Sequence, residues 1–317
     1  MNCKPKEYFW TEKYRPSNIN DLIIPEDHKR KFETVLQTGE LDGYVFSGEP
    51  GLGKTSCAKA LCEMLDLEYI IINGSEKSSR GIAGISEIID YGSTCSINGK
   101  YKVVIIDEGE KLTHDAQDAL KNVEEELKSN LRIIITTNDF NKIDDALMSR
   151  LVHIDFNMDE KQKKEIMKPL MSRIYDIFDN EGITYNKNNK KLIKYVVDII
   201  KHRSDIRHII KSLSLIAKEN NMSIPDDYEF PVEIVTYENI TKILNSDYKE
   251  IARYADTCDP NSVFSFIGKN VLKFSNDINV IRRLMNATVG HERDHLTKIN
   301  KLNNMIAYFL NIKEILK

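Results

Sequence analysis

Residues 48–55 read Gly48-Glu49-Pro50-Gly51-Leu52-Gly53-Lys54-Thr55 and satisfy every position of the phosphate-loop pattern G-x-x-x-x-G-K-[ST]. The run before it, Gly43-Tyr44-Val45-Phe46-Ser47, has strand character, and Thr55 to Leu65 is helix-prone. A loop between a strand and a helix is the setting the pattern needs. Its glycines let backbone N–H groups turn inward around a polyphosphate at a helix N-terminus, where the dipole favours anions. Lys54 then reaches the β- and γ-phosphates and the Thr55 hydroxyl is placed for magnesium. The expectation is a site for a nucleoside triphosphate and magnesium.

A chain of 317 residues has room for two or three domains, each with its own core. Charged residues make up 30% and the formal net charge is −4, so composition gives no global nucleic-acid signature and leaves only a local basic face open. Five scattered cysteines without a C-x-x-C pair fit neither a zinc site nor a disulfide framework. No apolar h-region follows Met1 and no apolar stretch nears membrane-spanning length, so the expectation is a soluble chain in a cytoplasm.

Apolar runs that read as buried parallel strands recur at residues 44–46, 69–72, 101–106, 131–136 and 152–156, with helical patterns at 55–65, 81–91 and 114–127 between them. That alternation predicts an α/β fold with a doubly wound parallel sheet in residues 1–156. Residues 159–220 carry no convincing strand and have helical apolar spacing, for example Leu192, Tyr195, Val196, Ile199 and Ile200. A polar connector over residues 220–227, with a further proline at Pro231, marks a boundary, and about 235–317 is again helical by pattern.

Val103-Val104-Ile105-Ile106-Asp107-Glu108 is an apolar strand ending in two acids. Asp107 is the candidate magnesium ligand, with Thr55, and Glu108 the group to polarise an attacking water. The following strand ends Thr136-Thr137-Asn138. The Asn138 amide there either contacts the γ-phosphate and lytic water or caps the next turn, and spacing alone leaves both open.

Further residues spell a family. Trp10-Thr11-Glu12-Lys13-Tyr14-Arg15-Pro16, the phosphate loop, Asp107-Glu108, Thr137-Asn138, Ser149-Arg150 and Ser204-Asp205-Ile206-Arg207 follow in order. Together they resemble the AAA+ sliding-clamp loaders of the replication factor C type over residues 7 to about 215. Ile23-Ile24-Pro25 and Asn73-Gly74-Ser75 look closest to the phage-type large, ATPase subunit, with cellular small subunits next. The resemblance implies an AAA+ ATP-binding domain (1–156), a helical lid (157–224) and a helical oligomerisation collar (225–317).

It also implies roles. Thr11, Glu12, Lys13, Tyr14 and Ile23 would line the adenine pocket, and Gly51, Leu52, Gly53, Lys54, Thr55 and Ser56 would wrap the phosphates. Asn138 matches sensor 1, Arg207 the lid arginine of sensor 2, and Arg150 an arginine finger acting on the neighbouring subunit's ATP. Lys77, Arg80, Gly81 and Ile82 resemble the region that tracks duplex DNA, with Lys77 a candidate switch on Glu108 and Lys121 a cation on the central helix. The implied function is Mg-dependent ATP hydrolysis that opens a ring-shaped clamp and places it on primer–template DNA in replication. The implied partners are the clamp, DNA and other loader subunits, as identical copies plus one distinct subunit in a hetero-pentamer, in the host cytoplasm if the source is viral. The sequence departs from the family's Ser-Arg-Cys at Leu151 and from its D-E-A-D-like run at Gly109-Glu110, and keeps the working acids.

Other readings remain. A branch-migration or helicase-loading AAA+ motor shares the nucleotide chemistry. His291-Glu292-Arg293-Asp294-His295 matches H-E-x-x-H and would make a zinc-dependent AAA+ protease. Charged Arg293 and Asp294, Gly290 ahead of them, and no third ligand downstream instead suggest a solvated helix start.

Overall fold

The computed structural model describes residues 9–96, 98–202, 204–230, 235, 237–258, 260–297 and 301–316. Cys3 and Pro231 lie outside the described residues. The chain divides into two compact units, Met1–Asp226 and Asp227–Lys317.

In the first unit a short helix α1 (Trp10–Lys13) and α2 (Glu26–Thr38) lead into β1 (Tyr44–Ser47), α3 (Lys54–Met64), β2 (Tyr69–Asn73), α4 (Ile82–Gly92) and β3 (Lys102–Asp107). Then come α5 (His114–Glu126), β4 (Leu131–Thr137), α6 (Asp145–Met148) and β5 (Val152–Asp155), followed by α7 (Glu160–Glu181), α8 (Lys190–His202) and α9 (Ile206–Glu219). The five strands form one parallel sheet in the order β2-β3-β4-β1-β5. Alternate side chains along each strand face opposite sides, so the sheet has two cores. Phe46, Val103, Ile105 and Ile134 pack with Phe32, Leu61 and Phe156 on one face. Val45, Val104, Ile106, Ile133 and Ile135 pack with Ile85, Ile88, Leu120 and Val123 on the other.

Only β1, β3 and β4 are covered on both faces. The expectation of five buried strands is corrected at the sheet edges, where Ile71 is 42% and Val152 46% exposed. An edge strand has one neighbour and partial helix cover, so its apolar run alone does not report burial. The register sets Ser47 beside Thr137 and Asp155, and Asn73 beside Asp107. These strand ends therefore share one edge of the sheet, the edge where ligands bind in open α/β folds.

Helix boundaries follow local chemistry. Thr113 caps α5 by accepting from the Ala116 N–H, and Asp159 with Gln162 forms a reciprocal capping box at the start of α7. Residues 220–226, expected as a connector, are tied back to the first unit. The Thr184 and Ile224 backbones bond at 2.8 Å, Asn189 Nδ2 donates to the Pro225 carbonyl at 3.2 Å, and Ile224 is buried.

The second unit contains α10 (Tyr237–Asn245), α11 (Tyr248–Thr257), α12 (Pro260–Lys269), α13 (Val271–Phe274), α14 (Ile278–Thr297) and α15 (Lys301–Ile315). Ile251, Phe264, Leu284, Tyr308, Phe309 and Ile312 fill its core. The H-E-x-x-H run is not a helix start: it lies late in α14, which continues through Gly290. One glycine costs a helix only about 1 kcal/mol, less than tertiary packing returns. His291 Nδ1 meets Asn304 Oδ1 at 2.8 Å, and Asn304 Nδ2 donates to the His291 carbonyl at 2.8 Å, so this histidine joins α14 to α15. The side chain of His295 is outside the described residues.

Ile134 is fully buried, whereas Ile71 is half exposed on an edge. Ile134→Ala should lower unfolding free energy by about 2–5 kcal/mol, since it removes contacts and leaves a cavity. Ile71→Ala should cost under about 1 kcal/mol. Chemical denaturation of the two variants checks this, and equal losses would contradict the burial assigned to β2.

Candidate functional site

The loop between β1 and α3 wraps the end of the sheet, and its glycines have a steric reason. Gly51 has φ +82°, and a Cβ there would lie 1.9 Å from Asp205 Oδ1. Any side chain at 51 would meet both a left-handed backbone and a carboxylate. Asp205 is itself held, accepting from the His208 N–H at 2.9 Å as the cap of α9. The phosphate loop and the start of α9 therefore pack without space for a side chain between them.

Lys54, the first residue of α3, is 7% exposed. Its ammonium donates to the carbonyls of Gly48 (2.6 Å) and Glu49 (2.8 Å) and to Asn138 Oδ1 (2.9 Å). Those acceptors match the three hydrogens of an ammonium. Burial pushes the Lys54 pKa down to about 8, opposed by the Glu110 and Asp107 carboxylates and assisted by the Arg207 charge. Thr55 Oγ1 donates to Asp107 Oδ1 at 2.8 Å, and the Thr136 hydroxyl donates to the same oxygen. A hydroxyl and a carboxylate in contact at a strand end form an oxygen-only donor set of the kind magnesium takes, and the pair fits that ion.

Glu108 follows in the left-handed region, φ +56°. For a residue with a Cβ this conformation costs on the order of 1 kcal/mol or more, and such outliers concentrate at functional sites. Among the described residues its carboxylate has no hydrogen-bond or ion-pair partner. Gly74 N donates to the Asp107 carbonyl at 2.8 Å, and a Cβ on Gly74 would lie 2.6 Å from the Glu108 carbonyl. The 73–77 loop is therefore seated against the Asp107-Glu108 backbone, while Lys77 is exposed and makes no bond to Glu108.

Asn138 does not cap the next turn. Asp139 does, accepting from the Asn141 N–H at 3.2 Å, while the Asn138 amide lies between Lys54 and Glu110.

Beside the loop, Thr11, Tyr14, Ile23, Gly51, Leu52, Gly53 and Ser56 line a cavity, together with Arg173 and Arg207 from the helices after the sheet. Glu12 and Lys13, expected in the same pocket, are not part of its lining. Glu12 pairs with Arg15 at 2.8 Å, and Lys13 with Glu181 at 2.6 Å. Glu181 also accepts from the Tyr14 phenol at 2.7 Å, so these residues fasten α1 to the end of α7.

Arg150 follows α6, away from these contacts, and rests on Glu125 of α5, with Nη1 donating to the Ala146 carbonyl at 2.6 Å. Lys121 is held by Asp118 (2.6 Å) and Asp144 (2.9 Å) and so presents no unpaired cation. Arg80 and Ile82 are exposed at the start of α4, whose N-cap, Gly81, offers no side-chain acceptor. Glu110, Thr136, Asp205 and Arg173 join the site without having been singled out in the sequence. The first three stand within or beside recognised motifs; nothing in the spacing of Arg173 marks it.

Residues 44–158 match the ATPase family associated with various cellular activities (AAA). The chain is 35% identical over 186 residues to the sliding-clamp-loader large subunit of Escherichia phage RB69, covering 58% of each. It is 32% identical over 215 residues to a replication factor C small subunit of Methanocella arvoryzae, covering 66% of this chain and 63% of that protein. The matched region thus spans about three fifths of these relatives' length. A solved structure of a Thermotoga maritima RuvB point mutant shares the fold at a TM-score of 0.55 with 18% identity, covering 92% of this chain and 91% of that one. This chain carries a P-loop AAA domain and is a homologue of proteins named as sliding-clamp-loader large subunits and replication factor C small subunits.

Proposed function

We propose that this chain is an ATPase subunit of a DNA sliding-clamp loader, using ATP to open a ring-shaped clamp and place it on primer–template DNA. The observation that carries the reading is the convergence of Lys54, Thr55, Asp107 and Asn138 at one sheet edge, in a chain similar to clamp-loader subunits. Thr55 and Asp107 would hold Mg2+, whose charge would stabilise the transferring phosphoryl group when bound. Lys54 exchanges its carbonyl partners for phosphate oxygens. Glu108 takes the proton of the attacking water, and Asn138 and Arg207 contact the γ-phosphate. Thr11, Tyr14 and Ile23 bound the base, while Glu12 and Lys13 support that wall from behind.

Residues 157–224 act as a lid and 225–317 as a collar that joins identical copies and one distinct subunit. Arg150 serves the neighbouring subunit's ATP. Arg80, Gly81 and Ile82 meet the DNA backbone at the start of α4, with Lys77 in the loop behind them relaying contact to Glu108. Lys121 would join them by leaving its two aspartates. Among the described residues no helix is long and apolar enough to cross a membrane. The likeness to RuvB, at 18% identity, speaks for the fold alone.

ATP turnover should rise synergistically with clamp and primed DNA together, measured as phosphate release. Stimulation by DNA that ignores the clamp would favour a branch-migration or helicase-loading motor instead.

Arg150→Ala should cut turnover by about 10³-fold or more while ATP affinity stays near wild type, because an arginine supplied in trans serves charge that develops late. Glu108→Gln should likewise bind ATP and fail to hydrolyse it. Mixing the two variants under confirmed subunit exchange should restore activity at interfaces pairing an intact Glu108 with an intact Arg150. No recovery would place Arg150 outside the neighbouring site.

The lowered pKa of Lys54 gives a pH signature. Phosphate oxygens favour its protonated form, so binding takes up a proton once the free site has lost it. ATP affinity should fall about tenfold per pH unit above pH 8, with proton uptake visible by calorimetry in buffers of different ionisation enthalpy. For folding the sign is opposite. The unfolded chain holds this proton up to about pH 10.5, so the group's contribution to stability rises with pH between about 8 and 10.5. A flat affinity profile across about pH 7–9 would show that the free site keeps its Lys54 proton there and would overturn the lowered pKa.

A further inference from the structure

Glu110 is a carboxylate of the nucleotide site with no role in the scheme above. It stands in the 3-10 turn Gly109–Lys111 after the Asp107-Glu108 pair, and both its oxygens are directed to a single residue. Oε2 accepts from the backbone N–H of Asn138 and Oε1 from Asn138 Nδ2, each at 3.1 Å. On its other side Asn138 Oδ1 accepts from Lys54 at 2.9 Å.

The orientation of an asparagine amide is ordinarily ambiguous, because its oxygen and nitrogen look alike. Here the partners remove the ambiguity. An ammonium has only hydrogens to give, so the atom facing Lys54 must be oxygen; a carboxylate only accepts, so the atom facing Glu110 must be nitrogen. With one Nδ2 hydrogen on Glu110, the second remains for another acceptor, and a phosphate oxygen is such an acceptor.

We propose that Glu110 is a positioning residue for ATP recognition, clamping the backbone and side chain of Asn138 together so that its amide offers a hydrogen to the γ-phosphate. This rests on the reading of the loop as a nucleoside triphosphate site. The clamp needs two acceptor atoms at fixed reach. A glutamine in place of Glu110 would present one oxygen and an NH2 group to two donors, leaving one donor of Asn138 unpaired. An aspartate there would retain the charge with a side chain one methylene shorter, unable to span both.

The readout is the ratio of ATP to ADP affinity of the full chain with Mg2+ at about pH 7, measured with fluorescent nucleotide analogues in wild type, Glu110→Gln, Glu110→Asp, Asn138→Ala and the double variant Glu110→Gln with Asn138→Ala. Each single variant should lose about tenfold of the preference for ATP, the size of one hydrogen bond to a charged group. The double variant should lose no more than Asn138→Ala, because Glu110 acts through Asn138. Losses that multiply in the double variant would overturn the proposal, since general loosening of the site adds in either background. A role for Glu110 only as a charge near Lys54 predicts a wild-type ratio in Glu110→Asp and an unchanged or higher one in Glu110→Gln; that pattern also overturns it. Wild-type protein that binds neither nucleotide would refute the triphosphate site itself, whereas normal wild-type preference with unaltered Glu110 variants would refute the clamp alone.

Discussion

The buried ammonium of Lys54 organises the end of the sheet. A charge with 7% exposure survives there because two loop carbonyls and the Asn138 oxygen replace its water, and because Glu110 and Asp107 stand close by. The same set of contacts links the loop after β1 to the ends of β3 and β4, which makes the site one unit. Anything that offers oxygens to Lys54 must displace loop carbonyls or the amide. A polyphosphate can do so by replacing the two loop carbonyls, which leaves the Asn138 amide where Glu110 holds it.

A second constraint is the contact between Gly51 and Asp205. The carboxylate that caps α9 occupies the space a side chain at 51 would need. A loop that has to bend for phosphate is thereby pressed against the helix carrying Arg207, so a change in the loop reaches α9 directly. On the opposite side, Gly74 ties the 73–77 loop to the Asp107-Glu108 backbone. The segment leading to the exposed start of α4 thus rests on the residue proposed to activate water. These are two short mechanical routes into the site, one from the helices after the sheet and one from the surface proposed to meet DNA.

The electrostatics of the surface cations separate them by availability. Lys121 sits between two aspartates and Arg150 on Glu125, whereas Lys77 and Arg80 have no such anchor among the described residues. Solvent and salt screen surface ion pairs of this sort, so an arriving phosphate or a neighbouring subunit can outcompete them. They act as rests for long side chains until a stronger partner comes.

Much of this was legible in the residues. The phosphate loop, the acids after β3 and the β1–β5 runs follow from patterns that act locally: glycines where the backbone must turn inward, alternating apolar residues where two cores must be filled. The family likeness rests on short motifs that stay in order whatever happens between them. What a local pattern cannot encode is partnership across the fold. Glu12 and Lys13 lie between Thr11 and Tyr14 in the chain, yet Thr11 and Tyr14 line the cavity and they do not: Glu12 pairs with Arg15, and Glu181, 168 residues from Lys13, draws the lysine side chain away. Spacing alone allows Asn138 to be cap or sensor, and it is Asp139 that takes the cap and leaves the amide to the site. The H-E-x-x-H run lies inside a long helix, and Asn304 on another helix engages its first histidine. In each case the side chain's role is settled by the partner it meets in the folded chain. Residue type and spacing thus determined what chemistry was on offer, and tertiary packing alone determined which atoms face one another.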